Sequence, residues 1–139
     1  MFLTLNDLKI AAGVSYYALV LDEQSHKTLL EKFEIPDEWK PFAHHMTICL
    51  GNNKDQVLQQ WIEDNMGKKF EATVIEEGLS DRAKALKVRS EVPSKNELKH
   101  ITLAVAPGAK PVESNHITEW KPTEHLLLHG TITAVQFAN

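Results

Sequence analysis

The stretch Ala43-His44-His45-Met46-Thr47-Ile48-Cys49-Leu50 decides how this chain is read, together with its echo, His100-Ile101-Thr102-Leu103-Ala104-Val105. Each sets a histidine and a threonine two apart in a run that otherwise reads as a buried strand, with Met46, Ile48 and Leu50 in one and Ile101, Leu103 and Val105 in the other. Residues i and i+2 of a strand share a face. His45 and Thr47 should therefore point one way while Met46 and Ile48 enter the core, and His100 and Thr102 should repeat the arrangement. Laid side by side, two such strands bring two imidazoles and two hydroxyls into one cleft.

With 7 His and 9 Thr in 139 residues, a shuffled chain holds roughly 0.45 His-x-Thr triplets, so one alone says little and a matched pair says more. His116-Ile117-Thr118 has no apolar run to fix its side chains. His129-Gly130-Thr131 opens a strand-like run, but Gly130 signals a bend or a close backbone approach instead of a core anchor. His129 therefore ranks third.

A chain of 139 residues is most simply one domain, spanning 1–139, large enough for a proper core. Net charge −4 and 24% charged residues exclude a general nucleic-acid coat protein, while leaving room for a local basic pocket that holds a small phosphorylated ligand. The single cysteine, Cys49, excludes an intrachain disulfide framework and favours a reducing compartment. Met1 to Asp7 lacks the pattern of a secretory signal, and no apolar run approaches membrane-spanning length. The expectation is a cytoplasmic protein with no membrane association and no obligate protein partner.

Met1 to Gly13 reads as a short capping strand or helix. Val14 to Leu21 is an almost continuously apolar strand. Ser25 is placed as the N-cap of a helix reaching about Glu34. Ile35 to Pro41, with two prolines, is a loop leading to the first motif strand, Ala43 to Leu50. Asn53 is placed as the cap of a second helix ending at Met66, with Gly67 as its stop. Phe70 to Glu76 and Ala83 to Arg89 read as paired strands joined by an irregular turn. His100 to Ala106 is the second motif strand, Ala109 to Thr123 is loop-rich, and Leu126 to Phe137 supplies the last strand or strands. Helices early and strands late predict an α+β or mixed-sheet domain. Both motif strands follow a proline-containing polar loop and end at a glycine-bearing turn, which hints at internal pseudo-symmetry.

Cleaving a phosphodiester requires a base to take a proton from the attacking oxygen and an acid to give one to the leaving oxygen. Histidine titrates near neutrality and serves either role. Hydroxyls on the non-bridging oxygens complete a metal-free site, a role that Thr47 and Thr102 fit. The competing reading is that these are ordinary strand residues making local hydrogen bonds. Metal ligation by His44, His45 and His100 is disfavoured, because adjacent histidines in a strand face opposite ways and no carboxylate or cysteine stands at zinc-site spacing. His44 is then a supporting or loop residue. Cys49 shares a face with His45 but has no basic neighbour in the sequence to activate it.

For base stacking, Tyr16, Tyr17, Trp39, Phe42 and Trp120 are available, with Trp39 and Phe42 preferred for their position at the entry to the first motif. Lys40, Arg82, Lys99 and Lys110 are the cations available to attract phosphate. The substrate-contact candidates carried forward are Trp39, Phe42, Tyr17 and Lys99.

The tetrads His45-Met46-Thr47-Ile48 and His100-Ile101-Thr102-Leu103 resemble the paired H-φ-[ST]-φ signature of the two-histidine (2H) phosphoesterase superfamily. With Gly78-Leu79-Ser80-Asp81-Arg82-Ala83, they look more narrowly like RNA-repair branches such as the cyclic phosphodiesterase part of fungal tRNA ligases. The likeness runs from about Val14 to Phe137, and only the two tetrads are specific. It implies a bilobal, pseudo-symmetric α+β fold with a central cleft, and no metal or other cofactor. It also implies His45 and His100 as the acid/base pair and Thr47 and Thr102 as phosphate binders. The implied substrate is a small nucleotide or RNA end, opened at a 2′,3′-cyclic phosphate. Degradation of cyclic or 2′-5′ oligonucleotide signals is the second reading, suited to a compact virus-encoded enzyme, and a non-catalytic nucleotide-binding module is the third. The spacing between motifs is shorter than in many relatives, which puts the substrate loops in doubt.

Overall fold

The computed structural model describes residues 14–136, so the expected capping element at Met1 to Gly13 and the final residue of the last expected strand, Phe137, lie outside the described residues. In chain order the elements are β1 (Tyr16–Leu21), α1 (Glu23–Lys32), β2 (Lys40–Pro41), β3 (His45–Leu50), α2 (Gln56–Asn65), β4 (Lys69–Leu79), β5 (Ala83–Arg89), β6 (His100–Val105), a 3-10 helix (Pro111–His116) and β7 (Trp120–Val135).

The strands form one antiparallel sheet in the order β2-β6-β3-β1-β7-β4-β5, and a further β5–β6 pairing closes it into a six-stranded barrel with β2 appended to β6. This overturns the bilobal, pseudo-symmetric α+β expectation. β7 pairs with β1 through its second half and with β4 along most of its length, while β6 pairs with both β3 and β5. Hydrogen bonding therefore runs unbroken around the ring, no seam divides two lobes, and closure leaves the ring strands without a free edge. The two motif strands are neighbours inside this ring.

Local chemistry explains the elements. Asp22 caps α1, its carboxylate accepting from the Ser25 N–H at 2.7 Å. Asp55 caps α2, accepting from the Val57 and Leu58 N–H groups, each at 3.1 Å. Both helices thus start on an aspartate within three residues of the expected cap, as N-cap preferences allow. Gly67, at φ 81°, stops α2 as expected. Leu29 of α1 and Leu58 and Ile62 of α2 join Tyr17, Leu19, Met46, Ile48, Ile101, Leu103, Leu128 and Ile132 in the main core.

β7 is longer than the sequence suggests, because the loop-like Trp120-Lys121-Pro122 joins it. Proline cannot donate to a ladder, and Pro122 lies where the β4–β7 register shifts between Val74 and Glu76. Gly130 is where β7 crosses β1 closely: a Cβ there would stand 2.7 Å from the Val20 carbonyl oxygen. Among the described residues no helix is long and apolar enough to cross a membrane.

Candidate active site

The site grows out of the β3–β6 pairing. Met46 and Ile101 are partners and both are fully buried. One residue to either side, the antiparallel register sets His45 across from Thr102 and Thr47 across from His100, on the face that Met46 and Ile101 do not use. All four side chains line one cavity of about 790 Å³.

His44 lines the same cavity. Adjacent histidines oppose each other only within a strand, and His44 precedes β3, after Ala43 at φ 51°. Nδ1 of His44 lies 2.9 Å from Nδ1 of His45. The backbone that turns these rings together is held by His26 of α1, whose Nδ1 is 2.9 Å from the Ala43 carbonyl oxygen and must donate to it. His26-Lys27-Thr28 repeats the motif spacing, but on a helix, where i and i+2 do not share a face.

Burial first, then His44 and His100, push the His45 imidazole down to about 4, so it is neutral at pH 7. Burial and His26 lower His44 as well. The Tyr16 ring lies 4.8 Å from the His45 ring, and burial raises its phenol, which stays neutral. His100 is only 8% exposed, and its Nδ1 is 2.9 Å from the Leu98 carbonyl oxygen. A carbonyl only accepts, so Nδ1 carries the hydrogen and Nε2 is the nitrogen left for a ligand.

The hydroxyls differ. Thr47 makes no side-chain hydrogen bond among the described residues, leaving its hydroxyl available to a ligand. Thr102 Oγ1 lies 2.8 Å from Ser114 Oγ and 3.3 Å from the Pro111 carbonyl oxygen, so it is tied to the 3-10 helix that forms one wall. Ser114 is buried and can donate to Thr102, which frees the Thr102 hydrogen to turn from its long bond toward a bound oxyanion.

Of the further sequence candidates, Phe42 lines the cavity, with the Lys40 ammonium 5.3 Å from its ring centroid. Tyr17, Trp39 and Lys99 do not line it, whereas Tyr16 and Lys110, also available in the sequence, do. Tyr17 is fully buried in the core, and strand alternation gives the cavity face to Tyr16 instead. Trp39 sits in the turn before β2, its N–H donating to the Pro36 carbonyl at 3.1 Å. Lys99 donates to the Ser90 carbonyl at 2.6 Å. The cavity's cations are Lys95, paired with Asp55 at 2.9 Å, and Lys110, which makes no ion pair among the described residues.

Cys49 also lines the cavity, and burial pushes its thiol up to about 11, which keeps it protonated at neutral pH. His129 is exposed, 3.9 Å from Glu71, and His116 is exposed; neither lines the cavity. Among the described residues no three His, Cys, Asp or Glu side chains converge as a metal site. The sequence reading passed over Lys95, Asn96, Ser114 and Asn115 as site residues, because the segments 95–99 and 110–116 carry no periodic pattern to show which way a side chain faces.

No protein-family model matches the chain. No curated protein matches it either. Among solved structures the fold is similar to a fungal RNA kinase, with a TM-score of 0.55 at 15% identity, over 84% of this chain and 41% of that one. At that identity the likeness concerns the fold, and this chain matches less than half of the neighbour's length.

Proposed function

We propose that this protein is a phosphodiesterase that opens the 2′,3′-cyclic phosphate, or a related phosphodiester, of an RNA-derived nucleotide by acid/base catalysis. The observation that carries this reading is the convergence of His45, Thr47, His100 and Thr102, from two paired strands, on one cavity. The paired H-φ-[ST]-φ tetrads of the 2H superfamily support it on the residues alone, and the fungal RNA kinase with a related fold makes RNA a reasonable substrate class.

His45, neutral at pH 7, accepts through Nε2 the proton of a water molecule that attacks phosphorus. His100, with Nδ1–H donated to Leu98, gives its Nε2 proton to the departing ribose oxygen. The P–O bond to that oxygen breaks as the bond to water oxygen forms, leaving a phosphomonoester. Thr47 and Thr102 take the non-bridging oxygens, where charge develops, and Lys110 attracts the substrate phosphate into the cavity.

The test is a panel of nucleoside 2′,3′-cyclic phosphates, 2′-5′ oligonucleotides and cyclic dinucleotides incubated with the protein in EDTA and read by chromatography. Hydrolysis of the cyclic phosphates is expected, with His45→Ala and His100→Ala each lowering turnover by about 10²–10⁴-fold. Near-full rates in either variant would refute the assignment. Binding without product would leave the chain a nucleotide-binding module.

A further inference from the structure

Beyond His100 the cavity does not end. A second basin of about 490 Å³ adjoins it, and Lys95, Asn96, His100 and Asn115 line both spaces. The His100 imidazole therefore stands at a junction and not at the blind end of a pocket. The basin is apolar at Leu98, Ile117 and Trp120, and the indole is fixed by its N–H donating to the Ile117 carbonyl at 3.3 Å. Amide groups of Asn96 and Asn115 and the Thr118 hydroxyl supply donors and acceptors.

A phosphate group has little to bind in this basin, because its cation, Lys95, is paired with Asp55 and Glu97 adds negative charge. A flat, uncharged ring with polar edges suits it: apolar surface takes the ring face, and amides take the edge. The main cavity alone already lies in the range of about 300–1,000 Å³ that holds one small ligand, so the basin is additional room.

We infer that the basin is a second nucleoside subsite, and that the preferred substrate is an oligonucleotide of at least two residues with its reacting phosphate between His45 and His100. The inference rests on the phosphodiesterase reading for the position of that phosphate. It assigns Thr118, which lines only the basin, to substrate length preference and not to the reaction.

The experiment compares a mononucleoside 2′,3′-cyclic phosphate with a dinucleotide ending in the same group, for the wild type, Thr118→Trp and Thr118→Glu. Thr118 is exposed, and circular dichroism checks that both variants fold. The wild type is expected to favour the dinucleotide in kcat/KM by about tenfold or more, the worth of one stacked base. Both variants should lose that preference while keeping the mononucleotide rate. Equal rates for the two substrates, or equal losses on both, would overturn the inference. Titration with the 2′- and 3′-phosphorylated mono- and dinucleotides needs no turnover. If neither substrate is hydrolysed, the phosphodiesterase reading fails. Tighter dinucleotide binding that is lost in Thr118→Trp would still support the basin, and equal binding would dismiss it.

Discussion

The Nδ1 atoms of His44 and His45 lie 2.9 Å apart, with the two rings edge to face at 81°. One hydrogen lies between two nitrogens, so one ring donates and the other accepts. When His45 donates, its Nε2 is bare and suited to take a proton from water. His44→Phe keeps a ring but removes the acceptor. Turnover is expected to fall about tenfold, the scale of one hydrogen bond, and less than in His45→Ala. Because His44 lowers His45, the acidic limb of the pH–rate profile should also move to higher pH. An unaltered profile would mean that His44 does not act through His45.

His45 also ties stability to pH. Its imidazole sits at about 4 in the folded protein against an ordinary value of 6.5. Between those values the unfolded chain binds a proton that the folded chain refuses. Stability is therefore fully present above about 6.5 and falls as pH drops toward 4, by up to about 3 kcal/mol. Melting temperatures measured from pH 7 to 4 should decline less steeply in His45→Gln than in the wild type. Parallel curves would exclude a neutral, desolvated His45.

Two lysines separate the sequence reading from the structural one. Lys110 lines the cavity without an ion pair among the described residues, whereas Lys99 is held by the Ser90 carbonyl. Lys110→Ala should raise KM by roughly fivefold with little change in kcat, as for a group that binds ground and transition states alike. Lys99→Ala should leave both constants near wild type. Steady-state kinetics on a cyclic phosphate substrate distinguish the two, and the reverse ranking would restore Lys99 to the site.

Ser114 joins the wall of the cavity to its floor. It is 2% exposed, and its hydroxyl lies 2.8 Å from that of Thr102. Ser114→Ala removes this bond and is expected to cost about 1 kcal/mol, which lowers the melting temperature by a few degrees. If Ser114 also frees the Thr102 hydrogen for phosphate, kcat/KM should fall with it. A stability loss with unchanged kinetics would assign the pair to packing alone.

Much of the sheet was legible because strands announce themselves locally. The alternation in His45–Leu50 and His100–Val105 placed both motif strands, and Ala83–Arg89 matches β5 at both ends. The helices were legible in place and apolar stripe, though their caps fell on Asp22 and Asp55 instead of Ser25 and Asn53. The closure of the sheet was not legible, because β5–β6 pairing depends on contacts between residues far apart in the chain, such as Leu86 with Ile101, that no local pattern shows. β7 was missed in part because Pro122 reads as a strand breaker, and it is tolerated only where the ladder is already irregular.

By itself the sequence determined which side chains share a strand face, since alternation is a property of the extended backbone. That was enough to pair His45 with Thr47 and His100 with Thr102. The tertiary structure alone decided that these two faces meet across the Met46–Ile101 pair, that Tyr16 and not Tyr17 stands beside His45, and that the ring has no second lobe. Those outcomes depend on register and closure between distant segments, where the energy lies in contacts that no local pattern encodes.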